Sequence, residues 1–150
     1  MVDYISFHLV SPEKKLASIE AKAVTIPAME GDITLLPDHA DFLTTLKPGI
    51  IQIDSGSGMQ EFLVTGGFIE VSKSVATILA EKAVPKTEAN AQLLEPLIIE
   101  ADEEYKNAPI HRKSRADLRL NDLKTLSTIL IGYQSLVFLV HKSHCYQCNV

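Results

Sequence analysis

The feature that most constrains this chain is a change of hydrophobic period near Lys86. Up to about Pro85 the apolar residues come in short runs, cut by glycine, proline and serine. From Thr87 onward they recur every three or four residues. A period of two buries one face of a strand, and a period near 3.6 buries one stripe of a helix. A single segment cannot satisfy both. The sequence therefore predicts two parts, a β domain over residues 1–86 and an α-helical hairpin over 87–150.

In the first part Tyr4 to Val10 alternates and is stopped by Ser11-Pro12. Ile19, Ala21, Ala23, Thr25 and Pro27 oppose Glu20, Lys22, Val24 and Ile26, which predicts one strand with a wet face at its start. Gly31, Pro37 and Asp38 punctuate the next run. Pro48-Gly49 separates Thr44-Thr45-Leu46 from Ile50 to Ile53, and Ser55-Gly56-Ser57-Gly58 signals a hairpin before Glu61 to Val64. Gly66-Gly67 predicts a break or bulge before Phe68 to Val71, and Ser72-Lys73-Ser74 turns the chain into Val75 to Leu79. Short strands with turns about every 8–12 residues fit a sandwich or a barrel.

In the second part Leu93, Leu94, Leu97, Ile98, Ala101 and Tyr105 make one helical stripe, with Thr87 as the expected N-cap. Pro96 predicts a kink or a helix start near it, because an interior proline removes a hydrogen bond. Asn107-Ala108-Pro109 ends this helix. Leu118, Leu123, Leu126, Leu130, Tyr133 and Val137 form the stripe of a second. The first helix carries Glu95, Glu100, Asp102, Glu103 and Glu104, and the second begins with Arg112, Lys113, Arg115 and Arg119. Antiparallel helices of opposite charge are expected to pair along their edges, although exposed ion pairs contribute only ~0–1 kcal/mol each.

Composition excludes several classes. The net charge of −5 opposes a dedicated nucleic-acid binder, whose phosphate contacts need clustered cations. With 46% hydrophobic and 22% charged residues the chain can build a core. Two cysteines near the C-terminus cannot staple a fold. Met1 to Val10 lacks the basic, apolar pattern of a secretory signal. The apolar run Leu126 to Val140 is shorter than the roughly 20 residues of a membrane span, so no direct span is expected.

No convincing catalytic set emerges. His39 between Asp38 and Asp41 has the makings of a general base, but no Cys or Gly-x-Ser-x-Gly nucleophile lies near it in sequence. The simpler reading is a surface loop whose polar residues cap turns. Gly66-Gly67 lacks the strand–loop–helix setting of a phosphate cradle. His141, His144, Cys145 and Cys148 are zinc-ligand types, yet usual zinc sites pair two clusters separated by a folded loop, and these four are packed into eight residues. They read as a terminal tail. Two rival classes stay open here. One is a stand-alone β-sandwich module with a concave ligand pocket; the other is a small metal-dependent enzyme using the Cys/His tail.

Several motifs in series then carry a resemblance. Leu9-Val10-Ser11-Pro12-Glu13 and Val24-Thr25-Ile26-Pro27 open it. Glu30-Gly31-Asp32-Ile33-Thr34-Leu35-Leu36-Pro37-Asp38-His39-Ala40 is the most specific segment. Leu43 to Gly49, Phe62 to Val71 and Leu79-Ala80-Glu81 follow in order. Over residues 4 to about 85 the chain resembles the epsilon-subunit family of bacterial F-type ATP synthases, the counterpart of mitochondrial delta. The resemblance implies a flattened ten-stranded β-sandwich followed by an α-helical hairpin. It implies a non-catalytic rotor subunit, without cofactor or metal, that binds the gamma subunit and the polar loops of the c-ring. Its place would be peripheral on the bacterial inner membrane, cytoplasmic side, or in a mitochondrion on the matrix side of the inner membrane.

By the same resemblance Glu30, Asp32, Asp38 and His39 would form the c-ring contact, through charge-assisted hydrogen bonds to basic and amide groups. Asp38 and Thr34 stand where the family usually has glycine; Asp38 is tolerable there if its backbone is left-handed. Arg112, Lys113, Arg115, Arg119 and Lys124 would meet acidic loops of the catalytic head, formed by alpha and beta subunits, and inhibit ATP hydrolysis. The family's ATP-binding motif is altered in Ala89-Asn90-Ala91-Gln92-Leu93-Leu94, where Asn replaces Asp and Leu replaces Arg. Without that guanidinium, weak or no ATP binding is expected. Beyond about Ser127 the apolar run and the Cys/His tail leave the family pattern, and this run is expected to be packed on the β domain or on a partner.

Overall fold

Short strands, each with one apolar face, must bury that face against a second layer. The computed structural model describes residues 4–145, with side chains to residue 132. Its strands are β1 Ile5–Val10, β2 Lys15–Ala21, β3 Ala23–Ala28, β4 Gly31–Leu35, β5 Phe42–Leu46, β6 Gly49–Asp54, β7 Met59–Val64, β8 Gly67–Ser72, β9 Val75–Ala80 and β10 Ala83–Pro85. A 3-10 turn at Lys86–Glu88 precedes α1 (Ala91–Asn107) and α2 (Ile110–Cys145). The chain divides into two compact units, Met1–Glu88 and Ala89–Val150.

In the first unit β2, β1, β9, β8 and β5 form one layer, and β10, β7, β6, β3 and β4 form the other. A single ladder pair, Ala28 with Leu46, makes all ten strands one sheet folded on itself. β1 runs parallel to β9 and antiparallel to β2. The architecture is the expected ten-stranded sandwich. Ile5, Phe7 and Leu9 of β1, Val24 and Ile26 of β3, Ile51 and Ile53 of β6, and Ile69 and Ile78 of β8 and β9 meet in one core, each with about 1% exposure or less. Burying a side chain of this size contributes about 1.5–3 kcal/mol.

The chain passes between the layers at Lys22, along Leu36–Asp41, at Lys47-Pro48, at Thr65-Gly66 and at Glu81-Lys82. Two of these corners refine the sequence reading. The single strand expected through Ile19 to Pro27 is two strands that break at Lys22. Ile19 and Ala21 face the core before the break; Val24, Ile26 and Ala28 are buried after it. The period-2 pattern shifts by one residue because the chain changes layer, and the Lys22 amide donates to the Asp54 carbonyl at 2.7 Å instead of continuing the β2 ladder. Gly66-Gly67 is a true break. Both residues have φ of +144°, and a Cβ on Gly67 would lie 2.1 Å from the Leu79 carbonyl oxygen.

In the second unit α1 and α2 pack on each other. The N-cap is Asn90, not Thr87: its Oδ1 accepts the Leu93 amide at 2.9 Å, while Thr87 lies in the 3-10 turn. The helix starts at Ala91 and runs through Pro96. Among the described side chains of α2 the buried ones are Ala116, Leu120, Leu123, Leu126 and Leu130, whereas the expected Leu118 is 54% exposed. Spacings of four, three, three and four set that stripe, and Leu118 falls outside it. Tyr133 and Val137 lie outside the described side chains. No helix among the described residues is long and apolar enough to cross a membrane.

Candidate functional site

Strand β5 is the frame of the site. Met29-Glu30 forms the tight turn between β3 and β4, closed by Gly31 at φ +129°. The Met29 amide donates to the Thr45 carbonyl at 3.0 Å, and the Glu30 carboxylate accepts the Thr44 hydroxyl at 3.1 Å. The turn is thus latched onto β5. Phe42 lies two residues before Thr44 on the same side of the strand, roughly 7 Å away. The His39 ring packs on Phe42, with centroids 5.1 Å apart and planes tilted by 59°. Glu30 and His39 are therefore brought to neighbouring positions on one side of one strand.

The loop that carries His39 is closed from within. The His39 amide donates to the Leu36 carbonyl at 3.2 Å, and Asp38 has φ of 61°, the left-handed conformation that lets Asp stand in a glycine position. His39 Nδ1 lies 2.9 Å from the Ala40 carbonyl oxygen. A carbonyl only accepts, so Nδ1 carries the proton and Nε2 is left as the second polar face of the ring. Neither Asp38 nor Asp41 orients this histidine. Asp41 instead binds the β8–β9 turn, accepting the Ser72 hydroxyl at 3.2 Å and the Lys73 amide at 3.0 Å. The general-base geometry suggested by Asp38-His39-Ala40-Asp41 is not formed.

Asp38 is exposed beside His39. Asp32 is not part of this group. It lies on the outward face of the edge strand β4 with Thr34, whose hydroxyl is 3.1 Å from that of Thr25. The β7 carboxylate Glu61 is also occupied: Lys86 binds it at 2.9 Å and Gln52 at 3.1 Å, and the Lys86 hydrogen bond holds it below the usual carboxylate range.

Sequence reasoning missed an apolar stripe on the outer face of the β1-β9-β8-β5 layer. Phe68 pairs with Leu79 across β8 and β9 at 57% and 56% exposure, and Leu43 of β5 is 71% exposed nearby. Val10 lies beside Leu79 on β1. The signal was present as apolar residues at both parities of Phe68-Ile69 and Ile78-Leu79, which a half-wet strand does not need. Cross-strand aromatic–aliphatic pairs left in water mark a surface fit for a partner.

In the second unit Arg112, Lys113, Arg115, Arg119 and Lys124 are all exposed. The structure separates them. Lys113 Nζ sits 5.2 Å from the Tyr105 ring centroid. The Asp102 carboxyl is held below its usual range first by its hydrogen bond from Lys106, within α1, and in smaller part by the charge of Lys124 across the hairpin. Lys113 and Lys124 thus face α1, and Arg112, Arg115 and Arg119 follow a spacing of three and four along α2. His141, His144, Cys145 and Cys148 fall outside the described side chains.

The family described as "ATP synthase, Delta/Epsilon chain, beta-sandwich domain" matches residues 4–86. A protein named ATP synthase epsilon chain from Ruegeria sp. (strain TM1040) is 49% identical over 108 residues, covering 72% of this chain and 79% of that one. Among solved structures, a chain of the Euglena gracilis mitochondrial ATP synthase, in an OSCP/F1/c-ring assembly, superposes with a TM-score of 0.65 at 24% identity, covering 85% of this chain and 82% of that one. A chain from the central stalk and c-ring of the Tetrahymena thermophila mitochondrial ATP synthase gives a TM-score of 0.58 at 20% identity, covering 81% and 95%.

Proposed function

Since this chain belongs to the ATP synthase delta/epsilon family, we propose that it is the non-catalytic rotor subunit that couples c-ring rotation to the catalytic head through the gamma subunit. The observation that carries this reading is the fixing of Glu30 and His39 on one side of β5. Both side chains are anchored from behind and keep a polar edge for a partner. Charge-assisted hydrogen bonds from the basic and amide groups of a c-ring loop suit such an edge. Asp38 adds charge beside it, and Asp32 on β4 extends the acidic surface along the edge strand. A contact that transmits twist needs a stiff mount, and a ladder-bonded strand supplies one.

The stripe of Leu43, Phe68, Leu79 and Val10 suits the second partner. It is largely apolar, with Glu70 beside Leu43 at its rim, the character of a long-lived protein interface, and we assign it to gamma. Arg112, Arg115 and Arg119, with Lys113 and Lys124 beside them, would reach acidic loops of the alpha and beta subunits and slow ATP hydrolysis. The location that follows is peripheral on the inner membrane, on the cytoplasmic side of a bacterium.

The test uses the assembled enzyme in sealed vesicles. His39→Ala is expected to lower protons moved per ATP hydrolysed while the chain still co-purifies with gamma. Deleting residues 87–150 is expected to raise ATP hydrolysis and leave coupling in place. A wild-type coupling ratio in H39A would defeat the c-ring contact, and unchanged hydrolysis after the deletion would defeat inhibition.

A further inference from the structure

We infer that Asp41 is a positioning residue for the c-ring contact, clamping the Leu36–Asp41 loop to the β8–β9 turn so that His39 and Asp38 meet the ring in one fixed pose. This rests on the coupling role proposed above. In this role Asp41 acts through contacts within its own chain. Its two carboxylate oxygens are divided between the Ser72 hydroxyl and the Lys73 amide. The clamp is doubled from the other side, because the Asp38 amide donates to the Ser74 hydroxyl at 3.2 Å. The turn is in turn fastened to β1, where the Ser6 amide donates to the Ser74 carbonyl at 2.9 Å.

The turn's own backbone supports the inference. Lys73 and Ser74 both adopt left-handed conformations, with φ of 49° and 62°. Two-residue turns of this kind usually carry Asn-Gly or Asp-Gly, since other residues are strained there. Strain of this sort persists where the surroundings over-determine it. Glycine at position 74 would relieve the backbone but would remove the hydroxyl that accepts the Asp38 amide. The strained serine keeps the recognition loop attached, and Asp41 holds the strained turn in shape. Displacement of His39 is thereby opposed by three strands, β5, β8 and β1, as well as by its own loop.

The test compares H39A, D41A, D41N and the double variant H39A/D41A in assembled enzyme in sealed vesicles, reading protons moved per ATP hydrolysed. D41A is expected to lower the ratio about as far as H39A. D41N keeps one oxygen for the Lys73 amide and is expected to fall between D41A and wild type. The double variant is expected to be no worse than H39A, because Asp41 acts through the loop that carries His39. Exchange at the His39 amide should also be roughly tenfold faster in D41A, the effect of losing hydrogen bonds to a charged group. Should D41A fail to assemble, Ser74→Ala is expected to reproduce the same non-additive loss. A low ratio in H39A with a wild-type ratio in D41A overturns the positioning role alone, as does a further drop in the double variant. A wild-type ratio in H39A overturns the c-ring reading and this inference with it.

Discussion

Replacing Gly67 by alanine tests whether the sandwich depends on one close backbone approach. Gly66 and Gly67 share φ of +144°, so Ala at either position meets backbone strain of about 1–3 kcal/mol. Their surroundings differ. A Cβ on Gly66 meets only the Glu81 carboxylate at 3.4 Å, the movable end of a side chain. A Cβ on Gly67 lies 2.1 Å from the Leu79 carbonyl oxygen and 2.9 Å from the Ala80 Cα. Those atoms belong to the β8–β9 ladder, and relief requires the strands to separate by about an ångström. Overpacking of this kind adds about 1–3 kcal/mol. G67A should therefore cost about 2–6 kcal/mol and G66A about 1–3. The unit Met1–Glu88 has an expected total of roughly 4–13 kcal/mol, so G67A removes a large fraction of it. Thermal melts of the full chain, followed at the β-sheet circular dichroism band, should place G67A roughly 5–20 °C below G66A. Equal melting temperatures for the two variants would refute the close-approach argument.

Two further outcomes follow from the local chemistry. Glu61 titrates below its ordinary value of 4.5 chiefly because Lys86 hydrogen-bonds its charged form. A depressed carboxyl stabilises the fold above the unfolded pKa, and that stability is lost as pH falls through the folded value. Lys86→Met should thus cost about 1 kcal/mol in urea melts at pH 7, with the gap closing as pH falls below the ordinary value of 4.5; a gap that persists in acid would exclude the pair as its source. Asn90→Ala should cost about 1 kcal/mol and expose the Leu93 amide to exchange, while Thr87→Ala should leave that amide protected. Equal effects from the two variants would show that the cap is misplaced.

How far the sequence was legible depended on how local each signal was. The hairpin at Ser55 to Gly58, the break at Gly66-Gly67 and the end of α1 at Ala108-Pro109 rest on residues that dictate their own backbone, and the structure places them there. The phase shift at Lys22 was not legible. Ala21-Lys22-Ala23 offers no large apolar residue to mark which face is inward, and the layer change depends on partners as distant as Asp54. Thr87 and Asn90 are both good caps, and only the side-chain oxygen that meets the Leu93 amide, Asn90 Oδ1, decides between them. In the site, Glu30 and His39 could be named from a motif, but their common mount on β5 needed the strand pairing. Asp41 was visible only as a neighbour of His39. Its partners lie 31 and 32 residues away, beyond the reach of any local pattern.

The five passages of the chain between the layers have a mechanical meaning. Beyond one shared rung and the few bonds that latch the β3–β4 turn and Lys47 across it, hydrogen bonding does little to stop the two layers sliding over each other. The peptide itself does that work, stitching front to back like thread through two sheets of cloth. Covalent bonds do not creep under a sustained sideways force, so a pull applied to one layer reaches the other without slack.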